Sequence, residues 1–289
     1  MSRPDGGTKV RELDVSRLTE TIARLVSDAN YQIPADVLEG LRQAAAREES
    51  ELGRHVLAQL VRNYEVAPQR RVPVCADSGV TVVFLEIGQD VHWVGGDVYE
   101  AVHEGIRQGA KEGYLRASVV GDPIIRMNTG NNSPGVVHVE LAAGDQVRVT
   151  VAPKGFGAEN MSALRMLTPA EGIDGVKRFV VATVEAAGAN SCPPLIVGVG
   201  LGGTFEAAAL LAKKAIVRPI DQRHPREDVR RLEEELLERI NALGIGPQGM
   251  GGTVTALAVN VEVWPTHIAG LPVAVNLACH SNRHMSATI

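Results

Sequence analysis

The run PLIVGVGLGG (194–203) constrains the fold more than any other stretch. It is short, apolar, rich in β-branched residues and bounded by glycine, and it passes directly into TFEAAALLAKKAIV (204–217), whose apolar residues recur at helical spacing. A buried strand feeding a helix requires a sheet covered by helices. Three further runs, GVTVVFLEIG (79–88), TVTALAVNVEVW (253–264) and LPVAVNLAC (271–279), read as strands of the same kind. The helices and strands do not alternate in strict βαβ order. The expected class is therefore mixed α/β, with mixed sheets flanked by helices and a helical N-terminal segment, and not a doubly wound Rossmann sheet.

The helical segment is expected over about residues 8–66. Leu13, Leu18, Ile22, Leu25 and Val26 recur at three- and four-residue steps, and Leu38, Leu41, Leu52, Val56, Leu60 and Val61 continue the pattern through a second helix that Pro34 opens. A helix from about Asp97 to Glu112 stops at Gly113, another over 169–187 stops at Gly188, and a third begins after Pro225 and ends before Gly244. Val137, Val139 and Leu141 alternate on one arm of GVVHVELAAGDQVRVTVAPKG, and Val147, Val149 and Val151 on the other. With AAGD between them, the arms read as a hairpin. No repeat or long linker divides the chain, so residues 1–289 are expected to form one domain.

Composition excludes several functions. A formal charge of −5 over 289 residues argues against a general binder of nucleic-acid backbone, which needs a basic field. The first eighteen residues are charged throughout and lack the apolar centre of a secretory signal, and no run of about eighteen apolar residues occurs. A cytoplasmic protein without membrane segments is expected.

Three cysteines, Cys75, Cys192 and Cys279, are too far apart for any local metal motif, and an odd number cannot close into disulfides without a remainder. Each sits in a short irregular segment beside an apolar strand: CADSG before 80–88, NSCPP before 195–203, and CHSNRH after 271–278. Buried thiols with apolar neighbours would be small hydrophobes. These three are flanked instead by Asp77, Ser78, Ser191, His280, Ser281, Asn282 and Arg283, company suited to thiolates on a metal. Zinc with three thiolates and a histidine is one option, although its structural sites usually carry tight ligand pairs. A cubane iron–sulfur cluster with one iron left open is the other.

The segments CADSG (75–79), NTGNNSPG (128–135), APKGFGAENM (152–161), NSCPPLIVGVGLGGT (190–204), GIGPQGMGG (244–252) and THIAGLPVAVNLACHSNRH (266–284) together resemble the α subunit of two-subunit class I fumarases, and more distantly that of L-tartrate dehydratase. The similarity runs in one order from about residue 10 to 284. It implies a [4Fe-4S] cluster held by Cys75, Cys192 and Cys279, whose open iron acts as a Lewis acid in the reversible hydration of fumarate to (S)-malate, a tricarboxylic acid cycle reaction.

The resemblance also implies roles for single residues. Asp77 and His267 match family active-site groups; the bare sequence allows a turn aspartate and a loop histidine as readily. Arg116 in GYLRAS matches an arginine that binds a substrate carboxylate, and Gly157 matches a glycine whose amide meets the substrate. On sequence alone these would be a surface arginine and a loop glycine before a helix. Ala76 stands where the family commonly has glutamine. The domain that supplies further arginines, a lysine and a hydroxyl base in single-chain members is expected on a separate β subunit, in an α2β2 assembly. L-tartrate dehydratase is the nearest alternative activity. A non-catalytic iron–sulfur or redox-sensing protein is the alternative of another class.

Two features invite weaker readings. GVGLGG has the spacing G-x-G-x-G-G rather than G-x-G-x-x-G, so close packing of strand on helix explains it better than a dinucleotide. RRLEEELLER reads as a solvated helix face with cross-turn ion pairs.

Overall fold

Valine and glycine alternate in VGVGLGG (197–203) because the strand they form has a different partner on each face. In the computed structural model, which describes residues 10–289, Val197 and Val199 are wholly buried on one side. On the other, a Cβ at Gly198 would stand 2.3 Å from the Ala212 carbonyl, and one at Gly200 only 2.1 Å from that of Ala208. Glycine is required there because a helix backbone lies directly against the strand.

In chain order the elements are β1 (Arg11–Asp14), α1 (Val15–Tyr31), α2 (Ala35–Arg47), α3 (Glu51–Arg70), β2 (Val80–Gly88), β3 (Val91–Val94), α4 (Val98–Glu112), β4 (Val136–Ala142) and β5 (Val147–Lys154). There follow α5 (Phe156–Glu159), β6 (Ala163–Leu167), α6 (Gly172–Ala187), β7 (Leu195–Gly203), α7 (Phe205–Ala215), α8 (Glu227–Asn241), β8 (Ala256–Thr266), β9 (Leu271–Ala278) and β10 (Met285–Thr288). This is the mixed α/β architecture expected. The chain resolves into two compact units, one comprising the residues up to Gln32 with 75–154 and 283–289, the other 33–74 with 155–282.

In the first unit a four-stranded sheet has the order β10-β5-β2-β4, and β1 pairs with β3 in a separate parallel ribbon. The expected hairpin is absent. β4 runs parallel to β2 and β5 antiparallel to it, with β2 lying between them. The four-residue link therefore passes over the end of β2, where the Gly88 amide donates to Gln146 O and the Asp90 amide to Gly144 O. A Cβ on Gly88 would meet the Gly144 carbonyl at 2.3 Å.

Helices α1 and α4 pack closely along Gly105 and Gly109; a Cβ on Gly109 would meet Ala23 O at 2.4 Å. Thr19 and Ser27 hydroxyls and the Tyr31 phenol donate to carbonyls on or just beyond α4, and so fix the helix pair. Leu18, Ile22, Leu25, Ile106, Val83 and Val149 fill the core beneath it.

The expected helical lead-in is three helices preceded by a strand, and its first two residues, 8 and 9, lie outside the described residues. Leu13 belongs to β1, and α1 starts only where the Asp14 carboxylate accepts the Ser16 amide. The second expected helix breaks at Glu48. The Glu48 carboxylate, 2% exposed, accepts the amides of Ser50, Thr253 and Val254, so the chain leaves the helix to bring it there.

In the second unit the sheet order is β6-β9-β7-β8, with β7 parallel to β8 and antiparallel to β9. Helices α6 and α8 bury Val176, Val180, Val184, Leu232, Leu236 and Ile240 on the valine face, while Ala208 and Ala212 of α7 pack with Ala274 on the glycine face. The outer side of α8 carries the cross-turn pairs Arg231–Glu227 and Arg239–Glu235, as expected of a solvated face. Among the described residues no helix is long and apolar enough to cross a membrane.

Gly200→Val should lower unfolding stability by about 3 kcal/mol in urea titration, because α7 must move away from β7. A second prediction concerns acid. Burial raises the Glu48 pKa, but the Ser50, Thr253 and Val254 amides outweigh it and hold the carboxyl below its ordinary 4.5. A carboxylate depressed on folding contributes stability that is present above its unfolded pKa and lost as pH falls through the folded one. Glu48→Gln should therefore cost about 1–3 kcal/mol at neutral pH and flatten the loss of stability below about pH 4.5.

Candidate functional site

In the first unit the candidate residues Cys75, Asp77 and Arg116 lie on two loops tied together through their backbones. The segment CADSG precedes β2 as an irregular turn in which the Asp77 carboxylate accepts the Gly79 amide at 2.9 Å. The buried Ser78 hydroxyl donates to the Arg116 carbonyl at 2.6 Å and stands 2.8 Å from the Ser118 hydroxyl. Asn132 completes the tie, its amide nitrogen donating to Arg116 O at 3.0 Å and its oxygen accepting the Ser118 amide at 2.6 Å.

This arrangement gives the backbone of both loops hydrogen-bond partners and leaves the Arg116 side chain exposed, with Cys75 and Asp77 half-buried. The structure thus brings Cys75, Asp77 and Arg116 onto one braced pair of loops. Behind the turn, Arg283 donates to the Asp77 carbonyl at 2.8 Å. Sequence reasoning grouped Arg283 among the polar neighbours of Cys279 and gave it no part in this turn.

In the second unit two of the three cysteines meet at one end of a sheet. Cys192 precedes β7 with Pro193 and Pro194 between them, Cys279 immediately follows β9, and the antiparallel register Ile196↔Ala278 puts both at the same end. The His280 amide donates to the Cys192 carbonyl at 3.4 Å and so joins the two segments directly. His280 is held in turn by the buried Tyr64 of α3, whose hydroxyl lies 2.5 Å from its Nδ1. The sulfur of Cys279 is 3.1 Å from the Ser281 hydroxyl. Cys192 itself adopts a left-handed backbone, φ 55°, at the exit of the 3-10 turn Gly188–Ser191.

Gly157 belongs to the same end of this unit. It lies inside the single turn α5 and not in a loop ahead of a longer helix, and a Cβ there would be 3.5 Å from Asn190 O, two residues before Cys192. Side chains hold α5 to β9: Asn276 donates to the Glu159 carboxylate at 2.7 Å and to Ser162 at 2.9 Å, and Lys213 pairs with Glu159. The Gly157 backbone is exposed.

His267 is not in this group. It sits exposed in the turn between β8 and β9, at the Gly203 end of β7. An eight-residue β9 separates it from Cys279, roughly 25 Å at the rise of a strand. None of the three cysteines is in a disulfide, and all are half-buried. Among the described residues no three His, Cys, Asp or Glu side chains stand together as a metal-holding group.

The second unit presents strand-end thiols beside an open backbone at Gly157, and the first unit presents a loop pair that carries a carboxylate and an exposed guanidinium, a group suited to carboxylate binding. The profile of the family described as fumarate hydratase (Fumerase) matches residues 19–288, and the chain belongs to that family of hydro-lyases. Over 273 residues it is 39% identical to the putative L(+)-tartrate dehydratase subunit alpha of Methanocaldococcus jannaschii, covering 92% of this chain and 95% of that one. It is 31% identical to the L(+)-tartrate dehydratase subunit alpha of Escherichia coli K12, covering 93% and 89%.

Ser78→Ala should cost about 1–2 kcal/mol, because it leaves the Arg116 carbonyl with one fewer donor. Urea denaturation measures this, and Ser118→Ala, which removes the lesser partner, should cost less.

Proposed function

We propose that this chain is the α subunit of an iron–sulfur hydro-lyase that interconverts fumarate and (S)-malate, with Cys75, Cys192 and Cys279 as the ligands of a [4Fe-4S] cluster. The observation that carries the reading is the placement of Cys192 and Cys279 at one sheet end, joined through the His280 amide and bordered by Gly157. The donor chemistry fits such a group. Three thiols lie outside any disulfide, and Ser281 offers a hydroxyl that can donate to the Cys279 sulfur once it is a thiolate.

When bound, the cluster supplies a Lewis-acid iron without a protein sulfur, which polarises a substrate hydroxyl or carboxylate. The chain's own residues do the rest. The exposed Arg116 guanidinium clamps a carboxylate, for which its planar fork is the natural match, while the buried tie at its carbonyl fixes where the side chain starts. The Gly157 amide N–H donates to the same dicarboxylate. Asp77, its backbone braced by Arg283, holds or moves a proton at its carboxylate.

Within one chain His267 is too far from Cys192 and Cys279 to share a substrate with them. Its proton-transfer role therefore requires the His267 of a second α subunit, which an α2β2 assembly supplies. A separate β subunit brings the base that removes the proton next to the substrate carboxylate. The relatives named as α subunits, matched over nearly their whole length, support such a partner.

A second reading keeps every residue role and changes the substrate to L(+)-tartrate, as the names of both relatives favour. Anaerobic assay of the reconstituted chain with its β subunit separates the two. Fumarate loss well above tartrate loss is the expected result; turnover of tartrate alone moves the assignment, and turnover of neither removes it. Cys192→Ser should reduce activity to background and lower the iron content, and full activity in that variant would refute the ligand assignment.

A further inference from the structure

Arg283 is the only arginine among the described residues to be deeply buried, at 3% exposure. It forms no ion pair there. Nη1 donates to Asn30 Oδ1 at 2.8 Å, Nη2 donates to the Asp77 carbonyl at 2.8 Å, and Nε is buried without any partner. Both acceptors are neutral. Asn30 is itself buried and anchored by its own amide to the Val26 carbonyl at 2.9 Å, so the guanidinium is gripped from α1 on one side and grips the CADSG turn on the other.

A guanidinium keeps its charge throughout the working pH range. Taking such a charge out of water without a counter-charge is strongly unfavourable, and folds retain it where an anion shares its surroundings. The turn that Arg283 holds carries Cys75. A thiolate-ligated iron–sulfur centre is anionic, and the charges and hydrogen bonds around it set both its retention and its potential. The forked geometry explains why arginine is needed: a single ammonium cannot reach Asn30 and the Asp77 carbonyl in the same way.

We propose that Arg283 is the counter-charge of the metal–thiolate centre at the Cys75 turn, and the positioning residue that fixes the Asp77 backbone against α1. It touches neither substrate nor reacting atoms. The inference rests on the reading of Cys75 as a cluster ligand.

The test uses the full chain with its partner subunit, reconstituted anaerobically, as wild type, Arg283→Met and Arg283→Lys. Iron release to a chelator and the reduction potential of the bound cluster are measured, together with KM and kcat. Arg283→Met should release iron about tenfold faster and shift the potential to more negative values, since a nearby cation favours the more reduced, more negative cluster. Arg283→Lys should keep the wild-type potential, because the charge remains, while KM rises because the fork is lost.

Wild-type iron retention and potential in Arg283→Met would overturn the proposal and leave the cluster assignment standing. A wild-type chain that takes up no iron would overturn both. If Arg283→Met does not fold, Arg283→Lys decides: an unchanged potential supports the counter-charge, and a negative shift with the charge still present refutes it.

Discussion

The contact on which the second unit depends is the backbone-to-backbone approach of β7 and α7. Gly198 and Gly200 leave room for the carbonyls of Ala208 and Ala212, and any side chain there would fill space the helix already occupies. With α7 seated on this face, the opposite face of β7 presents Leu195, Val197, Val199 and Leu201 to the core shared with α6 and α8. The sheet is thus covered on both sides, its central strands are fixed in register, and Cys192, just ahead of Pro193-Pro194 and β7, falls at the same end as Cys279, which follows β9. The placement of the thiols follows from helix packing some distance away from them.

The first unit reaches the same end by hydrogen bonding. The two loops that carry Asp77 and Arg116 are shaped by buried side chains that satisfy backbone groups: Ser78 and Asn132 on the Arg116 carbonyl, Arg283 on the Asp77 carbonyl, Asn30 behind Arg283. Such ties are worth little individually, yet a buried carbonyl left without a donor is costly, so each loop has one favoured path.

Periodicity made much of this legible. The V-G-V-G run correctly implied close strand-on-helix packing, and α4, α6, α8, β7, β8 and β9 lie where their apolar patterns put them. The hairpin misreading came from a property that no local pattern records: β4 and β5 have the alternation and link length of neighbours, but β2, more apolar than either and with both ladders available, takes the position between them. Leu13 fits a helical stripe and a strand equally well, and the Asp14 cap decides in favour of the strand. The break at Glu48 depends on amides two hundred residues away. The cysteines drew notice through their neighbours in sequence, whereas Tyr64, Asn30 and the structural part of Arg283 act through groups distant in sequence and left no local signal.

The central claim is that three cysteines scattered along the sequence serve one iron–sulfur centre. Iron, acid-labile sulfide and zinc analysis of the anaerobically reconstituted protein, in wild type and in each of the three single Cys→Ser variants, tests it most directly. The account predicts iron and sulfide in equal amounts in wild type and loss of both in every variant. A colourless protein that retains zinc, or a variant that keeps its full iron and sulfide, would contradict it.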